Sequence, residues 1–389
     1  MKRLLLIIGI LLLFVTEILR VYFIMPFPGS QHRQTIGLAY FIDRYRIYLR
    51  VAGALMVAYP LLTSRWKTWS KVLLTGVAIL YAVIFYFFNF RFEADKMFYQ
   101  PRTKTFAGAA DNNILLDRLV IGVVVNGEAK AYPIQIIGYH HQVRDTIGGT
   151  PVMITYCTVC RTGRVYSPVF NGEPQVFRLV GMDHFNAMFE DEKTKSWWQQ
   201  ATGYAIAGPL KGSHLSEIPS QQSELGEWLA QYPHTKVLQP DSAFIKQYDA
   251  LSDYDQGTIK GSLEHRDSGS WKMKSWVVGV IADGHEKAYD WNALVSHRLI
   301  QDSLGIAPVI LWAMPDSMDF RVFSRKLDGQ TLNFELVGTD IKDANTGSTW
   351  NWEGYCNDGT LKGQQLQPVQ SYQEFWHSWH NFHPQTAVF

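Results

Sequence analysis

Cysteine is scarce in this chain, with three in 389 residues. A disulfide framework is thereby excluded, so burial of apolar surface must hold the fold. Net charge is lacking too, since 36 Lys and Arg stand against 35 Asp and Glu. No basic stretch interleaved with aromatics occurs, and a nucleic-acid partner is not indicated. The sequence has no Walker loop, no G-x-G-x-x-G, no G-x-S-x-G and no H-E-x-x-H. Nucleotide-cofactor, hydrolase and zinc-peptidase readings are therefore unsupported.

Long apolar runs, by contrast, crowd the first hundred residues. Three candidate membrane spans cover about 4–27, 47–62 and 72–90. No small-x-small cleavage site follows the first run, which argues against a removable signal peptide. Glu17 and Arg20 interrupt that run at i, i+3, a spacing that lets them pair on one helix face. Arg50 stands near the start of the second run, placed to snorkel. The Met-Lys-Arg start favours a cytoplasmic N-terminus. An odd number of spans then makes the C-terminal region extracytoplasmic, either periplasmic or at the cell surface. The membrane region is taken as 1–95.

The remainder contains an internal repeat. "VIGVVVNGEAKAYPIQIIGYHHQVRDTIGGTPVMITY" aligns without a gap to "VVGVIADGHEKAYDWNALVSHRLIQDSLGIAPVILWA". Gly122 meets Gly279, Tyr132 meets Tyr289, His140 meets His297 and Asp183 meets Asp340. A five-residue deletion within "HFNAMFED" interrupts the match, which then resumes at Trp198 and Trp350. Two units at 105–238 and 276–389 follow, joined by a polar connector, 239–275. Asn-Gly and Asp-Gly pairs at 126–127, 171–172, 283–284 and 328–329 predict hairpins. Short helices are expected around 134–141 and 221–231. The fold class is α+β: three membrane helices followed by a tandemly duplicated, mainly antiparallel β domain.

Duplication separates fold from function, because residues kept in one unit alone are the candidates for chemistry. Cys157 and Cys160 are replaced by Met314 and Ser317 in the second unit, and the His184–Met188 segment is deleted there. Two features missing together point to one site. A Cys-x-x-Cys turn presents two sulfurs to a single centre. In a metal reading, Cys157 and Cys160 join His184 or His140, with Met188 or water as a further ligand. That set suits copper or zinc, and a thioether favours copper. His140 is the weaker ligand, since His297 persists where the cysteines do not. Arg161, Asp183 and Asn186 are supporting residues, Arg161 as a thiolate-stabilising cation if it lies near a sulfur.

Two alternatives stand beside this reading. One is a thiol–disulfide oxidoreductase acting on exported proteins, although no helix follows the motif to lower a thiol pKa. The other is a non-catalytic scaffold in a membrane complex. "FWHSWHNFHP" spaces His377, His380 and His383 on one helix face, but its aromatics read as a packed terminal helix. Cys356 reads as a small buried residue.

The chain resembles a bacterial family known as domain of unknown function 3179. The likeness covers roughly 105–389 and rests on four motifs: "AKAYPIQIIGYHHQVRDTIGGTPVMITYCTVCRTG", "ATGYAIAGPLKGSHL", "TGSTWNWEG" and "FWHSWHNFHPQTAVF". The family typically reads Pro-Leu between the cysteines and Gly after them. Thr158, Val159 and Arg161 hold those places here. The resemblance implies no established activity.

Overall fold

The computed structural model describes residues 1–315 and 318–389. The chain divides into two compact units. One comprises Met1–Tyr99 with Gln175–His214, and the other Gln100–Pro174 with Leu215–Phe389. The fold is mixed α+β, with an N-terminal helical region and many antiparallel sheets.

In the first unit, α1 (Lys2–Tyr22), α2 (Ile36–Thr63) and α3 (Thr68–Phe90) follow the apolar runs. Of these, α1 and α3 are long and apolar enough to cross a membrane. The first fifteen residues of α2 include Asp43, Arg44, Arg46 and Arg50, which dilutes its apolar content. Among the described residues, two helices rather than three therefore qualify by length and composition. Gly9 and Gly53 let α1 and α2 approach closely: a Cβ at Gly9 would stand 2.9 Å from the Gly53 carbonyl oxygen.

The expected Glu17–Arg20 pair does not form. Glu17 is fully buried and accepts from Arg50 Nε at 2.6 Å and from a terminal nitrogen of Arg50 at 2.7 Å. Asn89 and Tyr81 complete its shell at 2.9 and 3.1 Å. Arg20 binds Glu93, the Phe88 carbonyl and Asn89 instead. The physical reason is that α2 and α3 supply a bidentate fork and extra donors, which a neighbour on the same helix cannot. Arg50 is thus a half-buried partner of Glu17 and does not snorkel.

A four-stranded antiparallel sheet completes this unit, in the order Ala205–Ala207, Trp197–Gln199, Asn186–Asp191, Phe177–Asp183. The α1–α2 loop ties it to the helices, with Met182 N–H donating to the Ile24 carbonyl at 2.7 Å. Phe185 N–H reaches Gln31 Oε1 at 3.1 Å. Residues 175–214 thus pack with the helices, although they lie inside the stretch 105–238 in sequence.

The second unit contains two similarly ordered sheets. One runs Phe106–Ala107, Lys236–Leu238, Glu128–Pro133, Leu119–Val125, Ser220–Glu224, and the other Ser371–Phe375, Trp276–Ala282, His285–Asp290, Ala387–Val388. In these two sheets all pairings are antiparallel except Lys236–Leu238 with Glu128–Pro133 and Ala387–Val388 with His285–Asp290, which are parallel. The four Asn-Gly and Asp-Gly pairs take positive φ at both residues, as hairpin turns of type I′ require. In each sheet a central glycine lies beneath an indole. A Cβ at Gly122 would meet Trp228 at 2.2 Å, and one at Gly279 would meet Trp379 at 2.1 Å. The helix expected at 221–231 begins only at Leu225, because Ser220–Glu224 pairs with Leu119–Val123 as a strand. The connector is no loose linker either, since Tyr248, Tyr254 and Asp255 within it are buried.

Candidate functional site

The strand Thr150–Cys157 delivers Cys157 to a tight turn, closed by Cys160 N–H on the Cys157 carbonyl at 3.2 Å. Arg161 then takes φ +54°, and the chain returns as the strand Thr162–Tyr166, with Thr162 opposite Cys157. The Cys-x-x-Cys is therefore the tip of a hairpin. A strand, not a helix, follows it in the chain. Both residues are thiols, not a disulfide, and both are 0% exposed.

Three side chains distant in sequence surround this turn. Lys274 Nζ donates to the Val159 carbonyl at 2.6 Å and stands 3.2 Å from His377 Nε2. His377 Nε2 is itself 3.1 Å from the Val159 oxygen. The Ser378 hydroxyl donates to Glu374 at 3.0 Å and lies 3.2 Å from Thr162 Oγ. Glu374 is also paired with buried Arg164. The strand Ser371–Phe375 docks on the turn directly, with Phe375 N–H on the Cys160 carbonyl at 2.9 Å. Helix Trp376–Phe382 follows at once, and so carries Ser378 to the Cys160 thiol and His377 to the Val159 carbonyl of the turn.

The electrostatics follow from this enclosure. Burial, and then the adjacent Cys157 thiol, push the Cys160 thiol well above its ordinary range, while Ser378 and Lys274 pull it down. Burial lowers Lys274, and the two cysteines act in the opposite sense. Burial and the charge of Lys274 bring His377 down to about 3, leaving a neutral imidazole at pH 7. The result is a buried pair of sulfurs with the half-buried Lys274 in electrostatic reach of both.

Arg161 plays a different part from the expected one. Its guanidinium donates to Gln373 at 2.8 Å and to the Tyr254 and Asp255 carbonyls at 3.3 and 3.1 Å. It also lies 3.8 Å from the Trp276 ring centre. It braces the turn from behind, and Lys274 supplies the cation near the sulfurs. His140 is buried, with Nε2 2.6 Å from the Tyr248 hydroxyl. Its neighbour His141 meets the Tyr156 carbonyl at 3.0 Å, and burial holds that imidazole down at about 4.

The other expected site residues belong to the first unit. His184 and Phe185 form the turn between Phe177–Asp183 and Asn186–Asp191, both at positive φ. His184 Nδ1 lies 2.6 Å from Asp183 Oδ1, and Gln199 donates to the other Asp183 oxygen at 2.6 Å. The Asp183 hydrogen bond outweighs burial and raises the His184 pKa. Asn186 is buried, giving to Gln200 and accepting from Ala201 N–H, both at 2.8 Å. Met188 is fully buried on its strand. Among the described residues, no three or more His, Cys, Asp or Glu side chains are gathered closely enough to hold a metal ion.

The hairpin Phe334–Val337 with Asp340–Asp343 is shorter than Phe177–Asp183 with Asn186–Asp191, and Asp340 lies on its returning strand, opposite Val337. Asp191 with Thr194 and Ser196 makes the same hydroxyl-braced turn as Asp343 with Thr346 and Ser348. Ser317, aligned with Cys160 in the sequence, lies outside the described residues. Cys356 is a small buried thiol directed to the Asp358 carbonyl. His383 is held by Glu286 at 2.8 Å and stacks on Trp379, so the terminal histidines have separate neighbours.

No curated protein and no solved structure matches the chain. A family model described as "Protein of unknown function (DUF3179)" matches residues 99–386. That span includes the thiol turn, Lys274 and the terminal helix, and the chain belongs to this family.

Proposed function

We propose that Cys157 and Cys160 form a two-thiolate site for a single copper(I) ion in a membrane-anchored, extracytoplasmic protein that handles the metal. The observation that carries this reading is the pair of adjacent buried thiols with the Lys274 ammonium beside them. Binding releases both thiol protons. Two thiolates and one monovalent copper leave a single negative charge, which Lys274 balances. Zinc prefers four ligands and carries a second positive charge, so soft, low-coordinate copper(I) suits two sulfurs better. His377 and Ser378 then act as polar neighbours of the sulfurs.

The anchoring part rests on α1 and α3, with α2 as a third, more polar span. Lys2 Nζ donates to the Thr63 carbonyl at 2.9 Å, which brings Lys2, Arg3, Arg65 and Lys67 to one end of the helices. At the other end Arg20 and Arg46 are matched by Asp43 and Glu93. The Met-Lys-Arg start supports a cytoplasmic N-terminus and an extracytoplasmic C-terminal region. The strand order shared by four strands of each sheet, the paired Gly-under-Trp contacts and the two Asp-Thr-Ser turns support a tandem duplication, with the thiols kept in the first copy.

The test is metal content of the full chain, purified anaerobically in detergent. About one copper per chain is expected, and none in a Cys157→Ser, Cys160→Ser variant. Zinc retained equally by both proteins would sink the proposal. A second reading, thiol–disulfide exchange, draws on the adjacency of the thiols. There both thiols would form a disulfide while a protein disulfide accepts their two electrons and two protons. Complete burial of both sulfurs weighs against an incoming partner disulfide.

A further inference from the structure

Arg164 and Arg321 occupy matching places in the second unit, yet their surroundings differ. Arg164 stands opposite Thr155 in one hairpin and Arg321 opposite Trp312 in another. Tyr166, two residues on, bridges to Glu217 as Phe323 does to Pro368. Beside them, Ser220–Glu224 pairs with Leu119–Val123 in the same register as Ser371–Phe375 with Trp276–Val280. These registers set Ser223 in the place of Glu374, Gln221 in that of Tyr372 and Pro368 in that of Glu217.

All three changes strip away groups that hold Arg164. That guanidinium is bound by Glu374 at 2.5 Å, lies 3.9 Å from Glu217 and stands 3.3 Å from the Tyr372 ring centre. Arg321 has only neutral groups within hydrogen-bond distance, the Phe320 carbonyl at 2.9 Å and the Ser223 hydroxyl at 3.4 Å. Asp319 is 3.9 Å away and accepts from the Glu224 N–H at 2.8 Å instead. Burial opposes the charge of both arginines. At Arg164 the carboxylates and Tyr372 outweigh it and raise the pKa, whereas at Arg321 burial prevails and lowers it. Arg321, Gln221 and Pro368 all line a cavity of about 310 Å³, to which Phe323 and Val369 add an apolar wall. Glu353 lines it too and makes no ion pair with Arg321 among the described residues. Its charge makes the cavity suited to one negative charge and hostile to two.

We propose that this cavity binds a small monocarboxylate, with the carboxylate taking beside Arg321 the place that Glu374 takes beside Arg164. The guanidinium and the Ser223 hydroxyl donate to it, and the apolar body of the ligand lies against Phe323 and Val369. The site is separate from the thiols and does not depend on their metal.

The experiment is isothermal titration calorimetry of the full chain in detergent. The probes are benzoate, its neutral match benzamide and inorganic phosphate. A single benzoate per chain is expected, bound roughly tenfold or more tightly than either of the others. Arg321→Met should abolish binding, and so should Ser223→Glu, which restores to Arg321 the carboxylate that Arg164 has. Gln221→Tyr, at a half-buried position of the cavity wall, should close the site with the ring that covers Arg164. No benzoate bound, or benzamide bound equally well, overturns the proposal. So does phosphate binding as tightly as benzoate, which would mark a general anion site. Benzoate retained by a Gln221→Tyr or Ser223→Glu chain that still unfolds cooperatively overturns it as well.

Discussion

Replacing Gly279 or Gly122 by alanine imposes nearly the same local strain in two places with different neighbours. At Gly279 the new Cβ would meet three ring carbons of Trp379 at 2.1, 2.1 and 2.5 Å, and at Gly122 it would meet Trp228 at 2.2, 2.4 and 2.4 Å. Ordinary carbon contacts begin near 3.5 Å, so each indole must retreat by about 1.3–1.4 Å. Both rings are buried, and each is anchored through its N–H, Trp379 on Thr386 and Trp228 on Thr235. Retreat therefore moves the helix that bears the ring. Overpacking of this kind costs about 1–3 kcal/mol. The functional consequence differs, because Trp379 shares its helix with His377 and Ser378, whereas Trp228 belongs to Leu225–Gln231. Thermal unfolding in detergent should lower both variants by several degrees. Labelling of native protein with an aromatic disulfide reagent should be about tenfold faster for Gly279→Ala than for Gly122→Ala. The second variant controls for general loosening. Equal labelling of the two, or unfolding unchanged in both, would refute the packing argument.

Further expectations concern charge. Burial raises the Asp319 carboxyl to about 6 from an ordinary 3.8, so its stabilising contribution is complete below pH 3.8 and is lost as pH rises through 6. Between pH 4 and pH 7, urea unfolding should show Asp319→Asn gaining up to about 3 kcal/mol relative to the unsubstituted chain, and parallel profiles would contradict this. Glu17→Leu leaves Arg50 without its main partner and should cost about 3–5 kcal/mol, read as a lower unfolding temperature. The double change with Arg50→Leu should recover most of that loss. Arg161→Lys should cost on the order of 2–3 kcal/mol, since an ammonium cannot reproduce three donor positions and the stack on Trp276. Calorimetry showing no loss would remove Arg161 from its bracing role.

What was legible in the sequence was local. The Asn-Gly and Asp-Gly pairs fixed hairpins because only a few residue types accept positive φ at both positions. The helix at Ile134–His140, the hairpin setting of Cys157 and Cys160 and the apolar helices each depend on neighbours within a few residues. The surroundings of the thiols depend on contacts across the chain. Lys274 meets Val159 across 115 residues and His377 meets it across 218, with nothing in either local sequence to announce the contact. His377 was visible only as one of three spaced histidines, and Lys274 only as a polar residue of a connector. Glu17 and Arg20 mislead for the same reason: their i, i+3 spacing is real, yet better donors arrive from α2 and α3. The grouping of 175–214 with the helices was equally hidden, because the alignment of the two halves places it within the repeat.

Copper(I) titration of the anaerobic full chain, in competition with a colorimetric copper(I) chelator, tests the central claim most directly. The account predicts saturation at about one copper per chain and two sulfur scatterers by X-ray absorption. Binding should be lost in the Cys157→Ser, Cys160→Ser variant and weakened when Lys274→Met removes the balancing charge. No copper withheld from the chelator, or a metal surrounded by nitrogen and oxygen alone, would contradict it.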